Sequence, residues 1–561
     1  MTMAVPSQLP TSSSDQQAGV FVRNATGLIR EVSFFDAFVM NTFGMNVAVG
    51  GVYLFLQAQT AFSGGNMLLS VVIGTLLMAF TLLRVYAEFA AAMPRSGGDY
   101  VFVSRTLHPI LGFLLSWSQG LWMIFFWIGF NAYFALTFAV PAALATLGTV
   151  TGQKVWLDMS SGLLGQHTLF GITTQWWVLG LGTVITVGFG VLLALGGQRY
   201  WRWQKLLFAI AGLSLLISFV LLLFQGGNIT GGWDDFAHRN GGLTFGQIIP
   251  AAEQAGYTGA HASFSFLDTL LMLPWVFFVV GYAQGSAQIG GEIKRASKTQ
   301  YRAMVGGVLA SGLVLALLTI VVTARVSPRW LGSLGYLVNA APDKLGLPAG
   351  LPPGFNFLAA LLTHNVFLLL LIGIGFVIWA VMGTPLSTMQ ATRYMLAWSL
   401  DRTVPQQLGD VSERFHTPVK AIVLCVVTGE IALVALVNWA NASLLGALLA
   451  QILAFIIVAL AGVAFPYRLR AVWESAGGKR LLGIPVVALA GAGGVLALGA
   501  LLIAFIANDT INSTFGVTRA LSLWFMSGVI VTGIVWYVAV RLINRGRGVD
   551  LGLVYREIPP E

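Results

Sequence analysis

The sequence predicts an all-α membrane protein of twelve transmembrane helices. Hydrophobic residues make up 57% of its 561 residues and charged residues only 9%, with a mean hydropathy of +0.81. A soluble domain carries about 25% charged residues, so this chain lacks the polar surface of a soluble protein. Its apolar residues form runs of about 20 or more, the length that crosses a bilayer as a helix. The alternation of barrel strands is absent.

Twelve apolar runs are separated by polar or Gly/Pro-rich segments. We predict spans at Phe34–Gln57, Met67–Ala92, Leu111–Ala145, Trp176–Leu195, Leu206–Phe224, Phe266–Ile289, Met304–Ala324, Phe357–Thr392, Ala421–Trp439, Ser443–Phe465, Ile484–Ala507 and Leu521–Leu542.

Lys and Arg residues are distributed unevenly between the two sides of this arrangement. With both termini in the cytosol, 23 of the 30 basic residues lie in cytosolic segments and six lie outside, while Arg84 falls within the second span. This asymmetry is typical of cytoplasmic loops. It predicts a multi-pass inner-membrane protein with cytoplasmic termini. Orientation also explains the net charge of +9, so we expect no nucleic-acid partner.

The spans and polar segments divide the chain into six regions. We predict a disordered cytosolic tail at 1–30, a five-helix unit at 31–225, an extracellular loop at 226–265, a second five-helix unit at 266–465, two further helices at 466–545 and a cytosolic tail at 546–561. The only cysteine, Cys425, lies in an apolar run. We therefore expect no disulfide-linked subunit, and the sequence indicates no oligomeric state.

Two spans contain glycines that favour a break in the helix. The first has Gly44 and the pair Gly50-Gly51, and the sixth has Gly281 and Gly285. A glycine inside a helix costs about 1 kcal/mol relative to alanine, and interrupted spans offer free backbone groups near the midplane. The alternative is that these glycines only allow close helix packing. The broken spans are five apart, as are the long third and eighth spans, which predicts a 5+5 inverted repeat.

Three motifs resemble those of one transporter family. They are YAEFAAAMPRSGGDY at 86–100, GGEIK at 290–294, and RYMLAWSLDRTVP at 393–405 followed by SERFHTP at 412–418. Their order and spacing over residues 30–465 resemble the amino acid–polyamine–organocation (APC) permeases. The resemblance implies a leucine-transporter-type fold with a 5+5 inverted repeat, broken helices 1 and 6 and two C-terminal helices. It also implies secondary active transport by alternating access.

The resemblance also implies where a substrate binds. In the family, a glycine-rich turn in the first broken helix holds a substrate carboxylate, and here Val49 stands where glycine is usual. Gln284 replaces a frequent acidic residue, and Trp275 falls near the aromatic gate. The predicted substrate site comprises Gly44, Asn46, Val49, Gly50, Gly51, Phe130, Asn131, Trp275, Val279, Gly281, Tyr282 and Gln284. We expect amino acids, related amines or other small organic solutes, the alternative being a non-amino-acid solute in the same fold.

Four residues are candidates for ion coupling. Thr384, Ser387 and Thr388 share one helix face and would hold Na⁺, or else bond to their own helix backbone. Glu88 lies four residues from Arg84, so the two form either a proton-linked pair or a structural one. We expect no metal and no cofactor beyond a coupling ion, H⁺ or Na⁺.

Other functional classes fit the sequence less well. A membrane-embedded enzyme needs His, Asp or Glu clusters within its spans, whereas the six histidines fall in loops or near span ends. A passive channel fits the helix count but not the motifs. A major facilitator fold expects a basic cluster after the second helix, where this chain has Pro94–Asp99. We therefore predict a transporter and not an enzyme.

Overall fold

The computed structural model describes residues 27–348, 351–439, 442, 448–515, 520–555 and 558. Within this part of the chain, eleven helical segments are long and apolar enough to cross a membrane, and one shorter apolar helix covers Phe266–Val280. The eleven segments are Phe34–Ala61, Met67–Ala92, Ile128–Thr151, Trp176–Ala194, Gly197–Asn240, Ala296–Arg325, Val366–Leu400, Val419–Asn438, Leu448–Arg468, Val486–Ala507 and Ala520–Gly546. The protein is therefore an α-helical membrane protein, as predicted.

The individual helices are as follows. In the first half they are α1 Phe34–Met45, α2 Val47–Tyr53, α3 Gln59–Ala61, α4 Met67–Phe80, α5 Leu82–Ala92, α6 Asp99–Thr106, α7 Pro109–Trp122, α8 Ile128–Phe134, α9 Val140–Thr151, α10 Lys154–Leu164, α11 Trp176–Ala194, α12 Gly197–Gln225, α13 Ile229–Asn240 and α14 Ile248–Gln254. In the second half they are α15 Phe266–Leu271, α16 Leu273–Val280, α17 Gly285–Gln288, α18 Ala296–Arg325, α19 Pro328–Ala340, α20 Phe355–Ala360, α21 Val366–Val381, α22 Gly383–Leu400, α23 Val419–Asn438, α24 Leu448–Arg468, α25 Arg470–Ser475, α26 Val486–Ala507, α27 Asp509–Phe515, α28 Ala520–Gly546 and α29 Leu551–Val554.

Both spans that were predicted to be interrupted are interrupted. Asn46 separates α1 from α2 with a left-handed backbone (φ 43°), a conformation that asparagine tolerates better than most residues. Its side-chain oxygen accepts a hydrogen bond from Val49 N–H, so it caps α2. In the second segment α16 ends at Val280, four turn residues follow, and α17 starts at Gly285.

The third span is one long segment with two irregular turns. It runs from Pro109 to Thr151, longer at each end than the predicted Leu111–Ala145. π-helical turns interrupt it at Met123–Trp127 and Ala135–Ala139, and a third one lies at Leu54–Ala58 in the first span. A π-turn inserts one extra residue and is often found at functional sites.

The predicted start of the eighth span at Phe357 is wrong. The long helix begins at Val366, because Asn365 caps it by accepting hydrogen bonds from the backbone N–H groups of Phe367 and Leu368. The preceding α20 is a separate short helix. The fifth and seventh spans instead begin earlier than predicted, at Gly197 and Ala296. Basic residues in their first turns hid these helices from a search for apolar runs.

Two short hairpins qualify the prediction of an all-α fold. Strands β1 His167–Leu169 and β2 Ile172–Thr174 are joined by Phe170-Gly171, and β3 Arg480–Leu481 and β4 Ile484–Pro485 by Leu482-Gly483. Both residues of each connection have positive φ, as in the two-residue turns that favour glycine. The hairpins lie between helices and leave the bundle unchanged.

The two ends of the bundle differ in composition. We call residues 93–108, 288–302, 401–420 and 466–485 the basic end. They are joined there by the hydrogen bonds of Gly97 N–H to Gln288 O and of Arg468 to the Thr106 carbonyl. Of the predicted N-terminal tail, residues 1–26 lie outside the described residues, whereas Gly27 contacts this end through His416.

The opposite end, which we call the far end, is covered by short helices from the two long connections. In α13 and α19, the buried rings of Trp233 and Trp330 meet edge to face with centroids 5.0 Å apart. The indole of Trp330 donates to the carbonyl of Phe245 at 2.9 Å. Thr60 of the first span donates to the Gly332 carbonyl at 2.9 Å. These contacts attach the cover to the first broken span.

Candidate substrate site

A cavity of about 320 Å³ lies where the two interrupted spans meet. It is lined by Phe43, Gly44, Asn46, Val49, Gly50, Tyr53, Gln57, Met123, Trp127, Phe130, Asn131, Phe134, Trp275, Phe278, Tyr282, Gln284, Gly383, Leu386, Ser387, Gln390, Gln451, Thr514 and Phe515. None of these residues carries a formal charge at neutral pH. A volume of this size holds a small organic solute.

Glycines bring the two broken segments together at this cavity. A Cβ added at Gly44 would lie 2.7 Å from the carbonyl oxygen of Tyr282, and one added at Gly50 would overlap Cγ2 of Val279. The close-packing alternative for these glycines is therefore real. The same glycines that allow close helix packing also flank the break at Asn46, so close packing and a helix break occur in the same segment.

The turn after α16 carries the polar side of the cavity. Gln284 is only 4% exposed, and its Oε1 accepts no hydrogen bond within the described part of the chain. An unpaired buried acceptor is costly, and this one belongs to a residue that lines the cavity. It is therefore positioned to accept a hydrogen bond from a donor on a bound solute.

Aromatic side chains form most of the apolar wall. Phe130, Phe134 and Phe138 are successively stacked along the third span, with centroids 5.7 and 4.8 Å apart. The ring of Tyr53 in α2 stacks on Phe138 at 5.6 Å. Of these rings, Tyr53, Phe130 and Phe134 line the same cavity as Gln284.

Trp275 closes the cavity toward the far end. Its indole is 1% exposed and donates to Oε1 of Gln57 at 3.3 Å. Phe62 packs against one edge at 5.9 Å and Phe515 against another at 5.2 Å. The resemblance places the family's aromatic gate near this residue, and a gating role for Trp275 stays a prediction.

Nine of the twelve predicted site residues line the cavity, and three do not. A Cβ on Gly51 would point toward Phe355 and Leu315, because each helical residue is rotated by about 100° from the one before. Val279 packs against Gly50, and a Cβ on Gly281 would lie 2.6 Å from the carbonyl oxygen of Phe277, within its own turn. These three residues pack behind the lining residues and do not themselves line the cavity.

Several lining residues were missed from the sequence. Gln57 lies within the π-turn of the first span, Gln390 lies on α22 and Gln451 lies on α24. Thr514 and Phe515 belong to α27, between the last two long helices. Glutamines in apolar helices are a usable signal, since a polar side chain in a span tends to face the bundle interior. Nothing local indicates the location of Phe515.

Residues 32–543, most of the chain, match the sequence model of a family described as amino acid permease. The chain belongs to this amino acid permease family. One curated relative of the permease is the branched-chain amino acid permease BcaP of Bacillus subtilis (strain 168), 30% identical over 92 residues. The matched stretch is 16% of this chain and 19% of the relative's length. The predicted APC-type permease is thereby confirmed.

The four ion-coupling candidates of the permease are not all in one place. The Thr384 hydroxyl donates to the Ile128 carbonyl at 3.4 Å, and that of Thr388 bonds back to the Thr384 carbonyl at 2.9 Å. Ser387 lines the substrate cavity, whereas Glu88 lines a different cavity at the basic end and pairs with Arg84 at 2.5 Å. In the described residues, no group of three His, Cys, Asp or Glu is placed to hold a metal ion.

Buried polar contacts hold the second break to the basic end. Asn41 donates to the Ser286 hydroxyl at 3.0 Å and accepts from its backbone N–H at 2.9 Å. The Ser286 hydroxyl donates in turn to Gln300 of α18 at 2.8 Å. Within the GGEIK motif, Glu292 forms a bidentate ion pair with Arg393 at 2.7 and 2.9 Å. Motif residues from α22 and the end of the sixth span thus join in a buried contact.

Asp99, in the segment between α5 and α7, is a buried carboxyl group. It accepts hydrogen bonds from the hydroxyls of Tyr394 at 2.7 Å and Tyr86 at 2.9 Å. Burial raises the pKa of Asp99 to about 6 from an ordinary value of 3.8, although the tyrosine hydrogen bonds lower it. The folded permease therefore binds a proton here more readily than the unfolded chain does.

This pKa shift predicts a pH-dependent stability. Because the pKa of Asp99 is raised on folding, its contribution is complete below about pH 4 and is lost as the pH rises to about 6, a change of about 3 kcal/mol. We expect Asp99→Asn to remove this part of the pH dependence of the melting temperature between pH 4 and 6. Identical pH profiles for the variant and the wild type would contradict the assignment.

Proposed function

We propose that this permease is a secondary transporter that moves amino acids with apolar side chains, or related amines, by alternating access. The observation that carries the proposal is the cavity at the junction of two interrupted spans, with polar groups on one side and aromatic rings on the other. The name of the branched-chain relative agrees with this substrate class.

The polar side of the cavity suits the backbone of an amino acid. At the start of α2, the N–H groups of Val49 and Gly50 donate to Asn46, which leaves those of Val47 and Ala48 for a solute. The N-terminal end of a helix favours an anion such as a carboxylate. Gln284 Oε1, which is unpaired among the described residues, would accept a hydrogen bond from the solute's amine. A zwitterion would then lie between the two breaks with its side chain toward the rings.

The absence of charged lining residues narrows the substrate class. A cationic or anionic side chain would enter a space with no formal countercharge among the described lining residues, which is unfavourable in a low-dielectric site. We therefore infer a preference for leucine, isoleucine, valine or phenylalanine over lysine or glutamate. A neutral non-amino-acid solute in the same fold is the second candidate, supported by Val49 in place of the usual glycine.

The transport cycle would follow from a twelve-helix, 5+5 inverted arrangement. The breaks fall in the first and sixth predicted spans, and the third and eighth line the cavity with Asn131 and Gly383. Rocking of one unit against the other around this fixed site would expose it to each side in turn. We propose H⁺ or Na⁺ as the coupling ion, and an inner-membrane location with both termini in the cytoplasm.

Gly50→Leu tests the site. Because even a Cβ at Gly50 overlaps Val279, a leucine would push α2 and α16 apart and so distort the wall of the cavity. We expect binding of radiolabelled leucine, isoleucine, valine and phenylalanine by the purified permease to be abolished, while membrane insertion and yield are retained.

The matched control is Gly188→Leu on α11, where an added Cβ meets nothing within 4 Å. This variant should bind as the wild type does. Unchanged affinity in Gly50→Leu would remove the site assignment. Screening nucleobases and amines against the wild type in the same assay, with and without Na⁺, tests the alternative substrate class and the coupling ion.

A further inference from the structure

A second polar cavity, of about 360 Å³, lies at the basic end and is separate from the substrate site. It is bounded by the last turns of α5, the first turns of α18, the end of α24, α25 and the segment before β3. Its lining residues are Arg84, Ala87, Glu88, Ala91, Ser297, Lys298, Tyr301, Arg302, Phe465, Trp473, Ala476, Gly477, Gly478 and Lys479. We call it the basic cavity.

The charges in the basic cavity do not balance. Arg84 pairs with Glu88 at 2.5 Å and also donates to the Tyr301 hydroxyl at 2.9 Å. The three other cations, Lys298, Arg302 and Lys479, form no ion pair and no side-chain hydrogen bond with any described residue. The cavity therefore carries about three positive charges without a countercharge in the part of the chain that the structure describes.

One wall of the basic cavity holds an unpaired hydrogen-bond donor. Trp473 is 2% exposed, and its indole N–H finds no acceptor among the described residues. A Cβ added at Gly478 would overlap the indole of Trp473, and the guanidinium of Arg480 lies 5.0 Å from the centroid of that ring. A buried donor without an acceptor is uncommon in folded proteins, and it lies here beside three unpaired cations.

The other wall belongs to the long apolar helices, and apart from the mutually paired Arg84 and Glu88 its lining side chains are apolar. Ala87 and Ala91 are on α5, and Phe465 is near the end of α24. The cavity therefore combines three cations, from α18 and the segment before β3, with apolar side chains of α5 and α24. An ordinary soluble anion matches only the first of these surfaces, whereas an amphiphile with an anionic head matches both.

We propose that the basic cavity binds the phosphate headgroup of an anionic phospholipid. Lys298, Arg302 and Lys479 surround the phosphate, Trp473 supplies a neutral donor nearby, and the first acyl carbons lie against Phe465 and the alanines of α5. The bound lipid bridges α5 of the first predicted five-helix unit to α18 and α24 of the second, and both to α25, which follows the two units.

The test uses the full-length permease in detergent with added lipid. Binding of phosphatidylglycerol, phosphatidylcholine and inorganic phosphate is measured separately by native mass spectrometry and by the shift in melting temperature. We expect phosphatidylglycerol to bind and stabilise the protein far better than phosphatidylcholine. Equal binding of inorganic phosphate would overturn the lipid assignment, because it would indicate a site for a soluble anion.

A triple variant locates the site. Lys298→Gln, Arg302→Gln and Lys479→Gln together should weaken phosphatidylglycerol binding by about 100-fold, from about fivefold for each lost cation near an anionic headgroup. The matched control removes three charges elsewhere on the same side, by Arg541→Gln, Arg545→Gln and Arg547→Gln on and after α28. Wild-type affinity in the first variant, or an equal loss in the second, would overturn the proposal.

Discussion

Arg393→Ala is expected to lower the free energy of unfolding of the permease by about 3–5 kcal/mol, which is the usual effect of leaving one member of a buried ion pair alone. Glu292 and Arg393 are 6% and 7% exposed in their side chains and share two hydrogen bonds. Without the guanidinium, the Glu292 carboxylate stays buried without its cation. The segment after the second break also loses its ionic contact with α22.

Melting temperature in detergent and loss of helical signal in denaturant measure this effect. Two variants make the interpretation specific. The double change Glu292→Gln with Arg393→Met removes both charges and should recover most of the lost stability. Lys420→Ala breaks an ion pair with Asp410 in which both side chains are more than half exposed, and should change stability by less than about 1 kcal/mol. If Arg393→Ala melts with the wild type, the pair has no stabilising role.

Asp401→Ala is expected to be comparably destabilising, by about 3–5 kcal/mol, and to release the C-terminal segment as well. Asp401 is fully buried and accepts hydrogen bonds from Arg105 at 2.8 Å and from the Tyr100 hydroxyl at 2.7 Å. The guanidinium of Arg105 also lies 5.0 Å from the ring centroid of Tyr555, just after α29. Loss of the carboxylate therefore disturbs the surface against which the C-terminal segment packs.

Limited proteolysis distinguishes this second effect from general instability. In Asp401→Ala, we expect cleavage after the α28 helix at a protease concentration that leaves the wild type intact. Tyr555→Ala should release the same segment with a smaller loss of melting temperature, because the ion pair remains. Asp410→Ala, at an exposed aspartate of the same end, serves as the control. Protection of the segment in Asp401→Ala would show that α29 is held by other contacts.

Much of the architecture could be predicted from the sequence because lipid imposes strong constraints. Long apolar runs predict helices close to those observed. The breaks could be predicted too, since glycines and Asn46 are the residues on which local backbone geometry depends. The errors lie at the ends of spans. A search for apolar runs does not detect Asn365 as a helix cap, and it assigns the basic first turns of α12 and α18 to loops.

The cavity lining was only partly predictable. The sequence identifies residues close to each break as candidate lining residues. Successive residues of a helix point in different directions, however, so some of these candidates face away from the cavity. Gly51 and Gly281 were therefore included although they face away from the cavity. Gln390, Gln451 and Phe515 approach it from elements distant in sequence, and only the tertiary packing brings them there. The Glu292–Arg393 pair joins two recognised motifs, yet no spacing rule connects them.

The position of α27 has a consequence for how selectivity can vary. Its last residues, Thr514 and Phe515, line the substrate cavity, and Phe515 packs against the Trp275 indole. A connector outside both predicted five-helix units therefore lines the candidate site, and if solutes bind there it would help to decide which of them fit. Substitutions in α27 would therefore change which solutes bind without altering the interrupted helices. Substrate specificity in such permeases could then diverge first at α27, where fewer structural constraints apply than at the breaks.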